Sequence, residues 1–163
     1  MYHIGKRKMK NTKYLDVTEI LPHKPPMVLI DRVLEYNLEQ RSLLAEIDIT
    51  PDSPFFDQTL GGVPACFGLE YMAQTVGTFS GIVDKESNLE AIEFGFILGT
   101  RKYENHIDLF SLAKYYVNIA EIFNGDELTC FAAEVKNDTG EVVAAAELNL
   151  FKPRNPAEFL EKD

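Results

Sequence analysis

Glu70 is the only Asp, Glu, Lys, Arg or His between Ala65 and Val83, a stretch otherwise apolar, small or neutral. Burial among apolar groups raises the pKa of a carboxyl, which suits it to donate a proton near neutral pH. Gln74 follows four residues later, a spacing that puts both side chains on one helix face, so Gln74 reads as the group that orients Glu70. The plainer alternative is a structural carboxylate held by the same glutamine. Cys66 falls in the first helical turn, where a thiol pKa is lowered, but no base stands beside it in sequence to support a nucleophile. Cys66 and Cys130 are too few for a disulfide framework and read as reduced core residues. His3 and His106 have no ligand-spaced partners, so no metal site is expected. Proton transfer by a carboxyl is the chemistry that remains.

The element carrying Glu70 must be a helix covered on nearly every side, because a surface helix over Ala65–Val83 would show a charged face. Gly68, Gly77 and Gly81 each weaken such a helix by about 1 kcal/mol relative to Ala. They predict close approach of other backbone, as when a sheet wraps the helix. Before it, Asp16 to Leu21 predicts one or two helical turns capped by Asp16 or Thr18. Met27 to Tyr36 and Arg41 to Ile49 predict two strands, with Leu43, Ala45, Ile47 and Ile49 on one face of the second. Pro51 to Gly62 predicts a loop. After the helix, Ile92 to Lys102, Lys114 to Ile122, Glu127 to Asn137 and Glu141 to Phe151 predict strands, the last two joined by a hairpin turn at Asn137 to Gly140. One helix against an antiparallel sheet is an α+β layer solution. A curled sheet of about six strands around one long central helix is the hotdog fold.

Length and charge bound the rest. The 163 residues suit one domain, with residues 1–14 expected as a flexible basic end and 153–163 as a frayed tail. The net charge of −10 argues against nucleic-acid binding, the more so because five of the 16 basic residues lie before position 14. No apolar run reaches the length of a membrane span, and no signal-peptide core follows the basic opening, so the cytoplasm is the expected location.

Several segments resemble bacterial 3-hydroxyacyl-acyl-carrier-protein dehydratases. Pro64 to Gln74 resembles their central-helix motif, in which a carboxylate is followed by Ala-Met and a Gln. Val76-Gly77, Phe79 and Gly81 are similar to the decanoyl-type branch. Leu21-Pro22-His23 and Met27 to Val33 are similar to the strand opening of the long-chain branch, and Gly125 to Leu128 resembles a family turn. The run Pro25 to Leu29, with Phe55 to Asp57, Val63 to Ala65, Glu70 to Gln74 and Leu98 to Glu104, resembles the small hotdog dehydratases of aryl-polyene-type gene clusters. The resemblance extends from about Ile20 to Phe151.

It implies dehydration of a 3-hydroxyacyl thioester to the trans-2-enoyl thioester, in fatty-acid or polyene biosynthesis. The substrate would arrive on the phosphopantetheine of an acyl carrier protein, with no other cofactor. By the same resemblance Glu70 is the acid, and a histidine is its partner, supplied by the other subunit of a homodimer or of a heterodimer with a second hotdog protein. The usual histidine of the loop before the helix is missing: Phe56 to Val63 contains none. His23 is the candidate in its place, in a segment that with Leu21, Pro22 and Phe67 would line the acyl tunnel; its alternative is a capping or wall residue. The backbone N–H groups of Ala65 and Cys66 would hold the thioester oxygen. Arg101 and Lys102 would either meet carrier phosphates or decorate a strand edge. Two alternatives stay open, a non-catalytic acyl-binding partner of an active dehydratase and a hotdog thioesterase.

Overall fold

The alternation of the second predicted strand becomes one wall of the core in a computed structural model, which describes residues 16–87 and 96–153. Leu43, Ala45, Ile47 and Ile49 are each at most 3% exposed, as one face of a half-buried strand requires. The strands are β1 (Arg32–Asn37), β2 (Ser42–Asp48), β3 (Gly62–Pro64), β4 (Phe96–Thr100), β5 (Glu104–Asn105), β6 (Leu109–Ser111), β7 (Lys114–Asn124), β8 (Leu128–Lys136) and β9 (Val142–Phe151). The helix α1 (Gly68–Glu86) follows a 3-10 turn at Ala65–Phe67, and another 3-10 turn, Val17–Glu19, is capped by Asp16. The main sheet runs β1-β2-β7-β8-β9-β4 with antiparallel pairing, and β5 also pairs with β9. A second sheet pairs β3 with β6. This is the hotdog arrangement, richer than the six strands expected because three short strands lack the length to show an alternation.

The helix packs on β2, β7, β8 and β9. Met72, Val76, Phe79 and Ile82 are fully buried at helical spacing, and Phe79 meets Phe131 of β8 edge to face at 6.0 Å. Arg41 lies 5.1 Å from the Phe79 ring and is held by Glu121 at 2.8 Å, so its charge is paired where it reaches over the core. At the β8–β9 turn, Asn137 Oδ1 accepts the amides of Thr139 and Glu141 at 3.1 and 2.9 Å, and Gly140 takes φ 84°.

Two expectations change. The first strand starts at Arg32 rather than Met27, because the Leu29 amide is taken by the side chain of Gln74 at 2.8 Å instead of a strand partner. Cys66 is exposed and Cys130 half-buried, so neither is a core residue; the 3-10 turn directs Cys66 outward. Part of the expected Ile92–Lys102 strand, His3 and both expected mobile ends, Pro153 apart, lie outside the described residues. Pro153 itself is buried. Among the described residues no helix is long and apolar enough to cross a membrane.

Candidate active site

The glycines of α1 decide what lies across it. A Cβ on Gly81 would stand 2.6 Å from Ile20 Cγ2 and 3.1 Å from the Ile20 carbonyl oxygen, and one on Gly77 would stand 3.2 Å from Leu21 Cδ2. The segment approaching the helix here is therefore the loop after the first 3-10 turn, not the sheet. Gly68, at the other end, leaves room for the Tyr103 hydroxyl and the Phe110 ring.

Between that loop and α1 is a cavity of about 330 Å³. Leu21, Pro22 and His23 line it from the loop, Glu70, Ala73 and Gln74 from the first turns of α1, and Ile97 and Leu150 from β4 and β9. Gly77, Ser80, Gly81 and Asp84 continue the same helix face, about 21 Å from Glu70 to Asp84 at the helical rise. Ile20, Leu21, Ile97 and Leu150 supply its apolar wall, and Asp84 is paired to Lys152 at 3.6 Å.

Gln74 is the hub of the polar contacts around Glu70. It is 2% exposed. Its Nε2 donates to the Met27 carbonyl at 2.8 Å and to Glu70 Oε1 at 3.2 Å, while its Oε1 accepts the Leu29 amide. Glu70 is half-buried rather than buried, and His23 is exposed at the mouth. Both reach one cavity from a single chain, where the resemblance implied one group from each subunit.

Other expected site residues stand elsewhere. The Ala65 amide is committed to the Asp108 carbonyl at 3.0 Å, so it is not free to hold an oxyanion; the β3–β6 sheet that leads into the helix claims it. Neither Ala65, Cys66 nor Phe67 lines the cavity. Phe67 instead stacks on Phe55, with ring centroids 4.2 Å apart, because its 3-10 turn faces the preceding loop. Lys102 sits 3.9 Å from Glu147 and is exposed. Where the family's loop histidine would stand, Asp57 closes a tight turn by accepting the Thr59 and Leu60 amides at 2.8 and 2.9 Å.

Sequence reasoning passed over Tyr103, whose hydroxyl donates to the Ala65 carbonyl and so ties the β4–β5 connection to the start of α1. Burial, with the nearby Cys66 as a lesser cause, pushes that hydroxyl's pKa up and keeps it a donor. It also passed over Ile20, Ser80 and Asp84 as lining residues. The i, i+4 spacing of Gly77 and Gly81 was the signal that could have found the crossing loop.

Residues 15–161 match the family model of ApeP-like proteins, described as ApeP dehydratase. The 3-hydroxyacyl-acyl-carrier-protein dehydratase FabZ of Chlamydia trachomatis serovar L2 is 38% identical over 71 residues, 42% of this chain and 46% of that protein, so the match spans about half the length of such relatives. The corresponding FabZ of Xanthomonas euvesicatoria pv. vesicatoria is 27% identical over 82% of this chain and 90% of its own. Among solved structures, the dehydratase heterocomplex ApeI:P from Xenorhabdus doucetiae superimposes with a TM-score of 0.81 at 27% identity, over 91% of this chain and 97% of the matched one.

Proposed function

This chain belongs to the ApeP-like dehydratases, and from that membership we propose that it removes water from a 3-hydroxyacyl thioester carried on an acyl carrier protein. The observation that carries the reading is the shared cavity, whose lining includes both His23 and Glu70 beside the apolar Ile20, Leu21, Ile97 and Leu150. His23 takes the proton from Cα. Glu70 protonates the hydroxyl on Cβ as the C–O bond breaks, so a Cα=Cβ double bond forms and one water leaves. Gln74 fixes the carboxyl through its 3.2 Å hydrogen bond. Leu21 and Pro22 form the start of the acyl wall. The reaction balances without a cofactor beyond the phosphopantetheine that presents the substrate, and its setting would be the cytoplasm.

A second reading has its own support. The loop before α1 holds no histidine, and the matched ApeI:P structure is described as a heterocomplex. In this reading the chain binds the acyl group as one half of a hotdog pair, and the other half completes the chemistry. The margin of β4, where the main sheet ends among the described residues, has Ile97 and Leu98 45% and 63% exposed, and is where such a pair would join its sheets. Thioester hydrolysis by Glu70 and water is disfavoured by the family itself.

One assay separates these. Incubation with a 3-hydroxyacyl carrier-protein thioester, followed by mass spectrometry of the carrier, should show loss of one water. Glu70→Gln and His23→Ala should each slow it by about 10²- to 10⁴-fold, the range of general acid–base contributions. Turnover unaffected by either substitution sinks the assignment. Inertness relieved by adding a second hotdog protein supports the partner reading, and release of free thiol supports hydrolysis.

A further inference from the structure

The cavity that holds Glu70 continues along α1 to a charged residue. Asp84 lines it and is 8% exposed, a carboxyl group taken almost wholly out of water and paired to Lys152 at 3.6 Å. The backbone of Lys152 is itself fixed, its amide donating to the Glu127 carbonyl at 2.8 Å. Less than a turn back along the helix, the crossing loop closes onto α1. Ile20 lies so near Gly81 that even a methyl there would stand 2.6 Å from its Cγ2. That loop is held in place. Ile20 is buried, its amide donates to the Val17 carbonyl at 3.0 Å, and the neighbouring Glu19 carbonyl accepts Lys85 Nζ at 2.7 Å. Ile20, Gly81 and Asp84 together make an end wall.

Two measures of the room before that wall agree. From Glu70 to Gly81 the helix rises about 16 Å. An extended alkyl chain advances about 1.25 Å per carbon, from its bond length and angle, so that span takes about thirteen carbons. The cavity volume is about 330 Å³. At about 30 Å³ per methylene, roughly the share of one water molecule in the liquid, it holds about eleven carbons. A longer tail must displace Ile20 or press methylenes against Asp84. The second course strips water from a charged pair and returns no hydrogen bond. An apolar end wall could yield to a longer tail by rearranging side chains; a buried ion pair makes the limit sharp.

On the reading of this cavity as the acyl site, with C3 beside Glu70, we propose that the Ile20–Gly81 contact and the Asp84–Lys152 pair set an upper limit on the acyl chain. Counted from the thioester carbonyl, the limit falls at about fourteen to sixteen carbons. Asp84 and Lys152 determine specificity here and touch none of the reacting atoms.

The test is a calorimetric titration of the full chain with 3-hydroxyacyl pantetheine amides of six to eighteen carbons, which needs no turnover. Affinity should rise by about fourfold for each added methylene up to the limit, then fall at least tenfold by eighteen carbons. Ser80→Phe puts a ring into the cavity ahead of the wall and should lower the limit by at least four carbons. Asp84→Leu combined with Lys152→Met replaces the charges by apolar groups and should raise it by at least two. Circular dichroism shows whether each variant is folded, and either one suffices beside the unsubstituted series. The same chain lengths presented as carrier-protein thioesters separate length control from dehydration. A binding limit with no water lost from any thioester supports the end wall and removes the dehydration; water lost equally well at every length overturns the end wall alone. Affinity that keeps rising to eighteen carbons, no binding at any length, or a limit unmoved in a folded variant also overturns the proposal.

Discussion

Gln74 joins the Glu70 carboxyl, one helical turn before it, to two groups that the sequence keeps far away, the carbonyl of Met27 and the amide of Leu29. An amide side chain is the group that can do this, because it offers an acceptor and two donors at once. Gln74→Leu keeps much of the volume but leaves the Leu29 amide buried and unpaired, a loss of about 1–3 kcal/mol. Urea unfolding should show that loss. Turnover should fall as well, because Glu70 and the loop bearing His23 both lose their common tether. Gln74→Glu offers a stricter comparison: it can still accept the Leu29 amide, but it sets a second carboxylate beside Glu70 and cannot donate to Met27. It should therefore recover more stability than activity. Unchanged turnover in Gln74→Leu would show that Glu70 needs no orienting partner.

At the scale of elements, much was legible and the exceptions have causes. The alternation in β2 and the uncharged run of α1 are local patterns set by burial, and the structure reproduces them. The pairing of Glu70 with Gln74 could be read because i, i+4 is a property of the helix alone. What failed was long-range. Nothing near Ala65 in sequence reveals that Asp108, 43 positions later, accepts its amide, and nothing near Phe67 reveals its stack on Phe55. The close backbone expected at the glycines is found only at Gly81, where it belongs to Ile20 of the loop and not to the sheet; Gly68 and Gly77 face side chains. That geometry makes a prediction about the element as a whole. Ala in place of Gly gains about 1 kcal/mol of helix propensity at either position. At Gly77 the added methyl meets only the end of the Leu21 side chain at 3.2 Å, which can give, whereas at Gly81 it meets branched and backbone atoms of Ile20 at 2.6 and 3.1 Å. Thermal denaturation should find Gly77→Ala close to neutral and Gly81→Ala destabilised, since overpacking outweighs the helical gain. A raised melting temperature for Gly81→Ala would mean the crossing loop is not held against the helix.

Among the described residues the main sheet ends in two margins, β1 and β4, that differ in kind. β1 presents Arg32 and Glu35 to solvent, a charged edge of the sort that blocks further pairing. β4 presents Ile97 and Leu98, and Ile97 also lines the Glu70 cavity. The pairing proposed at β4 would put the joined sheet and the site at the same margin. Leu98 is the better position to test this, because it is the more exposed of the two and does not line the cavity. Leu98→Lys puts a charge where another strand would pair while leaving the cavity wall intact. Sedimentation velocity should show a shift toward the monomer, and turnover per chain should fall with it, more steeply on dilution than in the unsubstituted protein. A substituted chain that becomes monomeric yet keeps full turnover would show that His23 and Glu70 suffice within one chain. One that stays dimeric would move the interface away from β4.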